Sequence, residues 1–137
     1  MTGFEVLEHT ADIGIRAAAP DLAGTLEQAT IGLASVIGVW RPERPGGRRR
    51  PIEVEAADAG GVLVDWLDEV LYLHDCGPAA LTEVTVESAW PREARGWVDL
   101  VPLEDDPDGI QVKAITYHRL KVEENADGWV AEVYVDV

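Results

Sequence analysis

The chain has 137 residues, 47% of them hydrophobic, a length and composition that suit one globular domain (residues 1–137) with a real buried core. No run of about eighteen apolar residues occurs, which excludes a helical membrane span. With 26 acidic against 11 basic residues the formal net charge is −15, and such a field repels phosphate backbones. Tight, direct nucleic-acid binding is therefore not expected, and a role in RNA metabolism would act through a protein partner.

The opening Met1-Thr2-Gly3-Phe4-Glu5 carries no basic region followed by an apolar stretch, so no secretory leader is read and a cytoplasmic location is expected. Phe4 to Ala19 reads as two short strands, with Phe4/Val6 and Ile13/Ile15 alternating on either side of a polar corner, Glu8-His9-Thr10-Ala11-Asp12. From Thr25 the period changes. Leu26, Ala29, Leu33 and Val36 fall on one helical face, preceded by a Thr25…Gln28 capping box and stopped by Gly38. The Pro/Gly/Arg-rich run between Trp40 and Pro51 reads as an exposed loop, and Ile52-Glu53-Val54-Glu55 alternates as a strand.

Gly61 to Asp75 is the most apolar helix, with Leu63, Trp66, Leu67, Val70 and Leu71 turned inward and Gly77-Pro78 ending it. Cys76, the single cysteine, cannot form an internal disulfide and reads as a half-buried structural residue at the helix end. From Leu81 to Val137 the chain is repeatedly strand-like, with turn signals at 91–93, 104–109 and 125–128. The expected fold is α+β: a mostly antiparallel sheet with two principal helices packed on one side.

Three groups of residues could carry chemistry. Asp12, Asp136 and the chain end at Val137 offer several hard oxygens; should the last strand run beside the His9–Asp12 corner, these would converge on Ca²⁺ or Mg²⁺. Spacing alone favours unrelated, solvated carboxylates. Asp65, Asp68 and Glu69 share one helical face and repel one another, as a solvated stripe or as a face for a partner or cation. In Lys113-Ala114-Ile115-Thr116-Tyr117-His118, read as a strand, Lys113 and Ile115 point one way and Thr116 and His118 the other. Lys113 could position an anionic group, or simply form a salt bridge. His9 reads as a backbone-bonding corner residue, and Arg48-Arg49-Arg50 as part of a solvated loop. No phosphate-cradling glycine motif, zinc spacing or nucleophile elbow is present.

In order and spacing, Glu8-His9-Thr10-Ala11-Asp12-Ile13-Gly14, Leu63 to Tyr72, Lys113 to His118 and the final Asp136-Val137 resemble the archease family. The resemblance is thinnest from Gly77 to Gly109 and in the basic loop. It implies a small α+β protein that is not itself an enzyme but activates the GTP-dependent RNA-splicing ligase, which joins 2′,3′-cyclic phosphate or 3′-phosphate ends to 5′-hydroxyl ends in tRNA splicing or RNA repair. It further implies faster guanylylation of a ligase histidine and repeated turnover. Carried over residue by residue, Asp12, Asp136 and Val137 are the metal ligands, for calcium or else magnesium, while Glu69 and Lys113 act on the ligase; His9, Asp65 and His118 are subsidiary candidates. Two other classes remain open on residue type alone: a metal-dependent hydrolase using Asp12, Asp136 and His118, which would turn over phosphoesters unaided, and a general chaperone, which would need no acidic corner.

Overall fold

A computed structural model of the chain describes residues 2–8, 12–77 and 79–137. Their elements run β1 (Gly3–Glu8), β2 (Asp12–Ala19), α1 (Leu22–Ile37), β3 (Arg48–Glu55), α2 (Ala59–Asp75), β4 (Ala79–Trp90), β5 (Glu93–Pro102), β6 (Ala114–Asn125) and β7 (Gly128–Asp136). Every strand pairing is antiparallel, but the strands divide between two sheets, ordered β1-β2-β7-β6 and β3-β5-β4. Both helices contact strands of both sheets. The α+β class thus holds, while the single sheet covered on one side becomes two sheets that share their helices.

The helices' burial explains that sharing. Leu26, Ala29, Leu33 and Val36 are buried as their spacing predicts, but so are Thr25, Thr30, Gly32, Ala34 and Ile37, which widens the covered surface of α1 well beyond one stripe. In α2 the inward set Leu63, Trp66, Leu67, Val70 and Leu71 is joined by Val62 and Val64. Trp66 is fully buried and donates its Nε1–H to Thr30 Oγ1 at 2.9 Å, tying the two helices together. The Thr30 hydroxyl in turn donates to the Leu26 carbonyl at 2.7 Å, so all these interior polar groups are used.

The helix starts differ from the sequence expectation. Asp21, not Thr25, caps α1, accepting from the Gly24 N–H at 2.7 Å; Thr25 lies inside the first turn and its hydroxyl donates to the Asp21 carbonyl. Likewise Asp58 caps α2, three residues ahead of Gly61, and accepts from the Gly61 N–H. Gly38 does stop α1, in the left-handed conformation at φ 84° that suits glycine. Cys76 caps the end of α2 and is exposed, not half-buried, because its position lies beyond the last residues that α2 turns into the core.

The expected loop before Pro51 ends early, since Arg48, Arg49 and Arg50 already belong to the edge strand β3. Arg49 lies 4.3 Å over the Trp97 ring and 3.3 Å from Asp99 Oδ1, both on the neighbouring β5. The arginine triplet is therefore partly engaged within its own sheet. The 103–113 segment carries no strand, but the Ile110 N–H donates to the Val36 carbonyl and Val112 is buried, which fixes the entry to β6.

Candidate functional site

Register on the four-stranded sheet brings the two ends of the sequence together. Asp12 opposes Asp136, Gly14 opposes Tyr134 and Arg16 opposes Glu132 across β2 and β7, while Ala114 opposes Asp136 and Thr116 opposes Tyr134 across β6 and β7. Alternation puts Ile13, Ile15, Val133, Val135 and Ile115 into the core, so this second set occupies the other face. Asp12 and Asp136 are therefore neighbours on the non-core face, with Val137 next in the chain. Cβ atoms so opposed lie about 4.5–5.5 Å apart, and like charges there are mutually destabilising.

The Asp12 carboxylate is partly sunk into the sheet, its Oδ1 buried, whereas Asp136 and Val137 are exposed. Lys113 joins them: its backbone N–H donates to the Asp136 carbonyl at 2.8 Å and its side chain is exposed. It precedes the strand rather than belonging to it, so the same-face pairing expected with buried Ile115 does not hold. Among the described residues no three His, Cys, Asp or Glu side chains form a metal-sized cluster. The oxygens assembled here are those of two aspartates and of Val137.

Beside the acidic pair, the Tyr134 ring lies across Gly14, where even a methyl group would stand only 2.8 Å from Cε2. Its hydroxyl donates to Glu132 Oε1 at 3.0 Å, and Arg16 bridges Glu132 and Glu5. Opposite this ring β6 loses register between Thr116 and Lys121, and Arg119 takes φ 55°, the one left-handed residue other than glycine among those described. The bulge sets the Arg119 guanidinium 5.8 Å from the Tyr134 ring centroid and the His118 ring edge-on at 6.4 Å. His118 is thereby next to Tyr134 and, through its N–H, bonded to Thr116 Oγ1. His9 lies outside the described residues.

Asp65, Asp68 and Glu69 form a separate group on α2, with Asp65 half-buried and the other two exposed. Val112 and Leu71 line one cavity, which places Lys113 one residue from the chain segment packed on α2. Partial desolvation, then Asp65, then Glu69 raise the Asp68 carboxyl above its ordinary value of 3.8. A raised acid binds its proton more tightly in the folded chain, so its ionisation opposes folding as pH climbs through and above that range. Asp68→Asn is therefore expected to raise Tm slightly at pH 7 and to leave it unchanged well below pH 3.8, measured by thermal melts across pH.

The family model described as the Archease protein family (MTH1598/TM1083) matches residues 4–137. The chain belongs to the archease family. It is 33% identical over 140 residues to a protein archease of Methanosarcina acetivorans, covering 98% of this chain and 95% of that one. It is also 33% identical over 143 residues to a protein archease of Thermococcus gammatolerans, each covered in full. Among solved structures, Methanobacterium thermoautotrophicum protein 1598 superposes with a TM-score of 0.78 at 26% identity, covering 100% of both chains. An archease from Thermotoga maritima, titled a possible chaperone, has a TM-score of 0.59 at 17% identity over 97% and 96% of the two chains, a likeness of fold alone.

Sequence reasoning about this archease left out Tyr134 and Gly14 as neighbours of the acidic pair, and Arg119 as a neighbour of Tyr134. Tyr134 was within reach, since it stands two residues before Asp136 and so on the same strand face. The bulge that delivers Arg119 has no glycine to mark it, and no sequence signal would have found it.

Proposed function

We propose that this archease is a non-enzymatic accessory protein that activates a GTP-dependent RNA-splicing ligase, promoting its guanylylation and its repeated turnover. The observation that carries the reading is the direct opposition of Asp12 and Asp136 beside Val137 and Lys113. Two carboxylates facing each other at a strand pair are tolerable when a cation lies between them, and an all-oxygen donor set suits calcium, or magnesium, rather than a soft metal. Asp12, Asp136 and the oxygens of Val137 would hold it. When bound, the cation supplies positive charge at an otherwise acidic tip.

The rest falls to the chain's own residues. Lys113, held at the Asp136 carbonyl by its backbone N–H, offers an exposed ammonium to a ligase surface, and Glu69 and Asp65 on α2 offer carboxylates. The net charge of −15 favours encounter with a basic ligase cleft and disfavours competition for RNA. The test is multiple-turnover ligation by a purified candidate ligase held limiting, with and without this protein. The turnover number is expected to rise, and the stimulation to weaken as salt is added. An unchanged turnover number would exclude the reading, and phosphoester hydrolysis by the purified protein alone would point to an enzyme.

A further inference from the structure

The core-facing side of the four-stranded sheet runs on beyond the start of α2. The helix begins at Ala59, but β6 continues to Asn125 and turns back through Trp129, which leaves Leu120, Val122 and Trp129 only partly covered at that end. They floor an open groove of ≈ 520 Å³ between the α2 N-terminus and the edge strand β6. Gly60 lines the groove as well, where an added Cβ would stand 2.9 Å from Leu120 Cδ2 and push that side chain aside. The β6 bulge throws Tyr117 outward, 63% exposed, as one wall.

The rim is acidic. Asp58, Glu123 and Glu124 line it, all three exposed, with Glu123 3.4 Å from the equally exposed Lys121 ammonium in a solvent-screened pair. The positive end of the α2 dipole does not turn the groove into an anion site, because Asp58 already caps that end through Gly61 N–H at 2.8 Å. An apolar floor within a carboxylate rim selects a large aliphatic or aromatic side chain flanked by lysine or arginine. A second copy of a chain at −15 is disfavoured for the same electrostatic reason. One bulge serves both faces of the sheet: it sends Tyr117 to the groove on the core-facing side and sets His118 and Arg119 beside Tyr134 on the opposite face.

We propose that this groove is a docking site for a basic segment of a partner protein, gripping one apolar side chain in the pocket. That the partner is the ligase rests on the function proposed above; the groove's preference for basic, apolar sequence does not.

Two arms test it. Nitrogen-15 spectra of the whole chain are titrated with a lysine-flanked leucine peptide and with its glutamate-flanked counterpart. Shifts are expected at Tyr117, Leu120, Val122 and Trp129 with the first peptide only, weakened about ten-fold in Tyr117→Ala and in Glu123→Lys/Glu124→Lys, the loss typical of a central anchor. Equal shifts with both peptides, or unaltered affinity in the variants, would overturn the proposal. In the second arm Tyr117→Ala raises the concentration needed for half-maximal ligase stimulation and leaves the maximum unchanged, whereas wild-type response in that variant argues against the groove. A wild-type protein that binds the lysine peptide as described but does not stimulate the ligase would uphold the groove and remove the ligase.

Discussion

Replacing Asp12 by Ala is expected to return multiple-turnover ligation to the level of the ligase alone while leaving the fold in place. The side chain sits at the first residue of β2, outside the hydrophobic core, and β2 is held by eight register pairs to β7 and by the burial of Ile13, Ile15, Ala17 and Ala19. What the substitution removes is one of two opposed carboxylates. If these jointly hold a divalent ion, saturating calcium raises the Tm of wild-type protein by several degrees, since a ligand at one hundred times its Kd adds about 2.7 kcal/mol. Neither Asp12→Ala nor Asp136→Asn is expected to gain that increment. Circular dichroism establishes the intact fold, melts with and without calcium report the ion, and ligation reports the function. Full stimulation by Asp12→Ala would remove this residue from the mechanism.

The largest loss of stability is expected at Trp66. It is fully buried, and truncation to alanine leaves a cavity between α1, α2 and the sheets and strips Thr30 Oγ1 of a donor. Substitutions of this kind cost about 3–5 kcal/mol. At about 3–5 °C per kcal/mol for a chain of this size, Tm should fall by roughly 10–20 °C. Trp66→Phe separates the two contributions, because it keeps most of the apolar volume and removes only the bond to Thr30, for about 1–3 kcal/mol. A melting temperature within a few degrees of wild type in Trp66→Ala would mean that the helix pair is not packed as described.

Much of this was legible in the amino-acid sequence, and the exceptions have physical causes. Alternation in β2 and β7 and the apolar periods of α1 and α2 identified the core, because burial imposes those periods directly. The opposition of Asp12 and Asp136 followed from supposing that the last strand lies beside the first corner, and the register bears out that adjacency. Division into two sheets was not legible, since each strand's pattern reports which face is buried and says nothing about which neighbour it pairs with. Helix starts moved because Asp21 and Asp58 cap by backbone geometry that Thr25 and Gly61, read in isolation, seemed to satisfy equally well. The irregularity of β6 escaped because Tyr117, His118 and Arg119 carry no turn residue, though it is what shapes both the groove and the surroundings of Tyr134.

The placement of Arg48, Arg49, Arg50 and Pro51 at the outer rim of the three-stranded sheet bears on solubility. A β-sheet's open border carries unsatisfied amide donors that invite other polypeptides to add on, the first step toward fibrils. Pro51 supplies no such donor, and proline within a sheet belongs on an edge strand such as β3, which pairs with β5 alone. Bulky, charged guanidinium groups precede it, on residues that are exposed. In a molecule whose basic residues are scarce, three successive arginines set positive charge along this border, so a second copy adding edge to edge would bring like charges together.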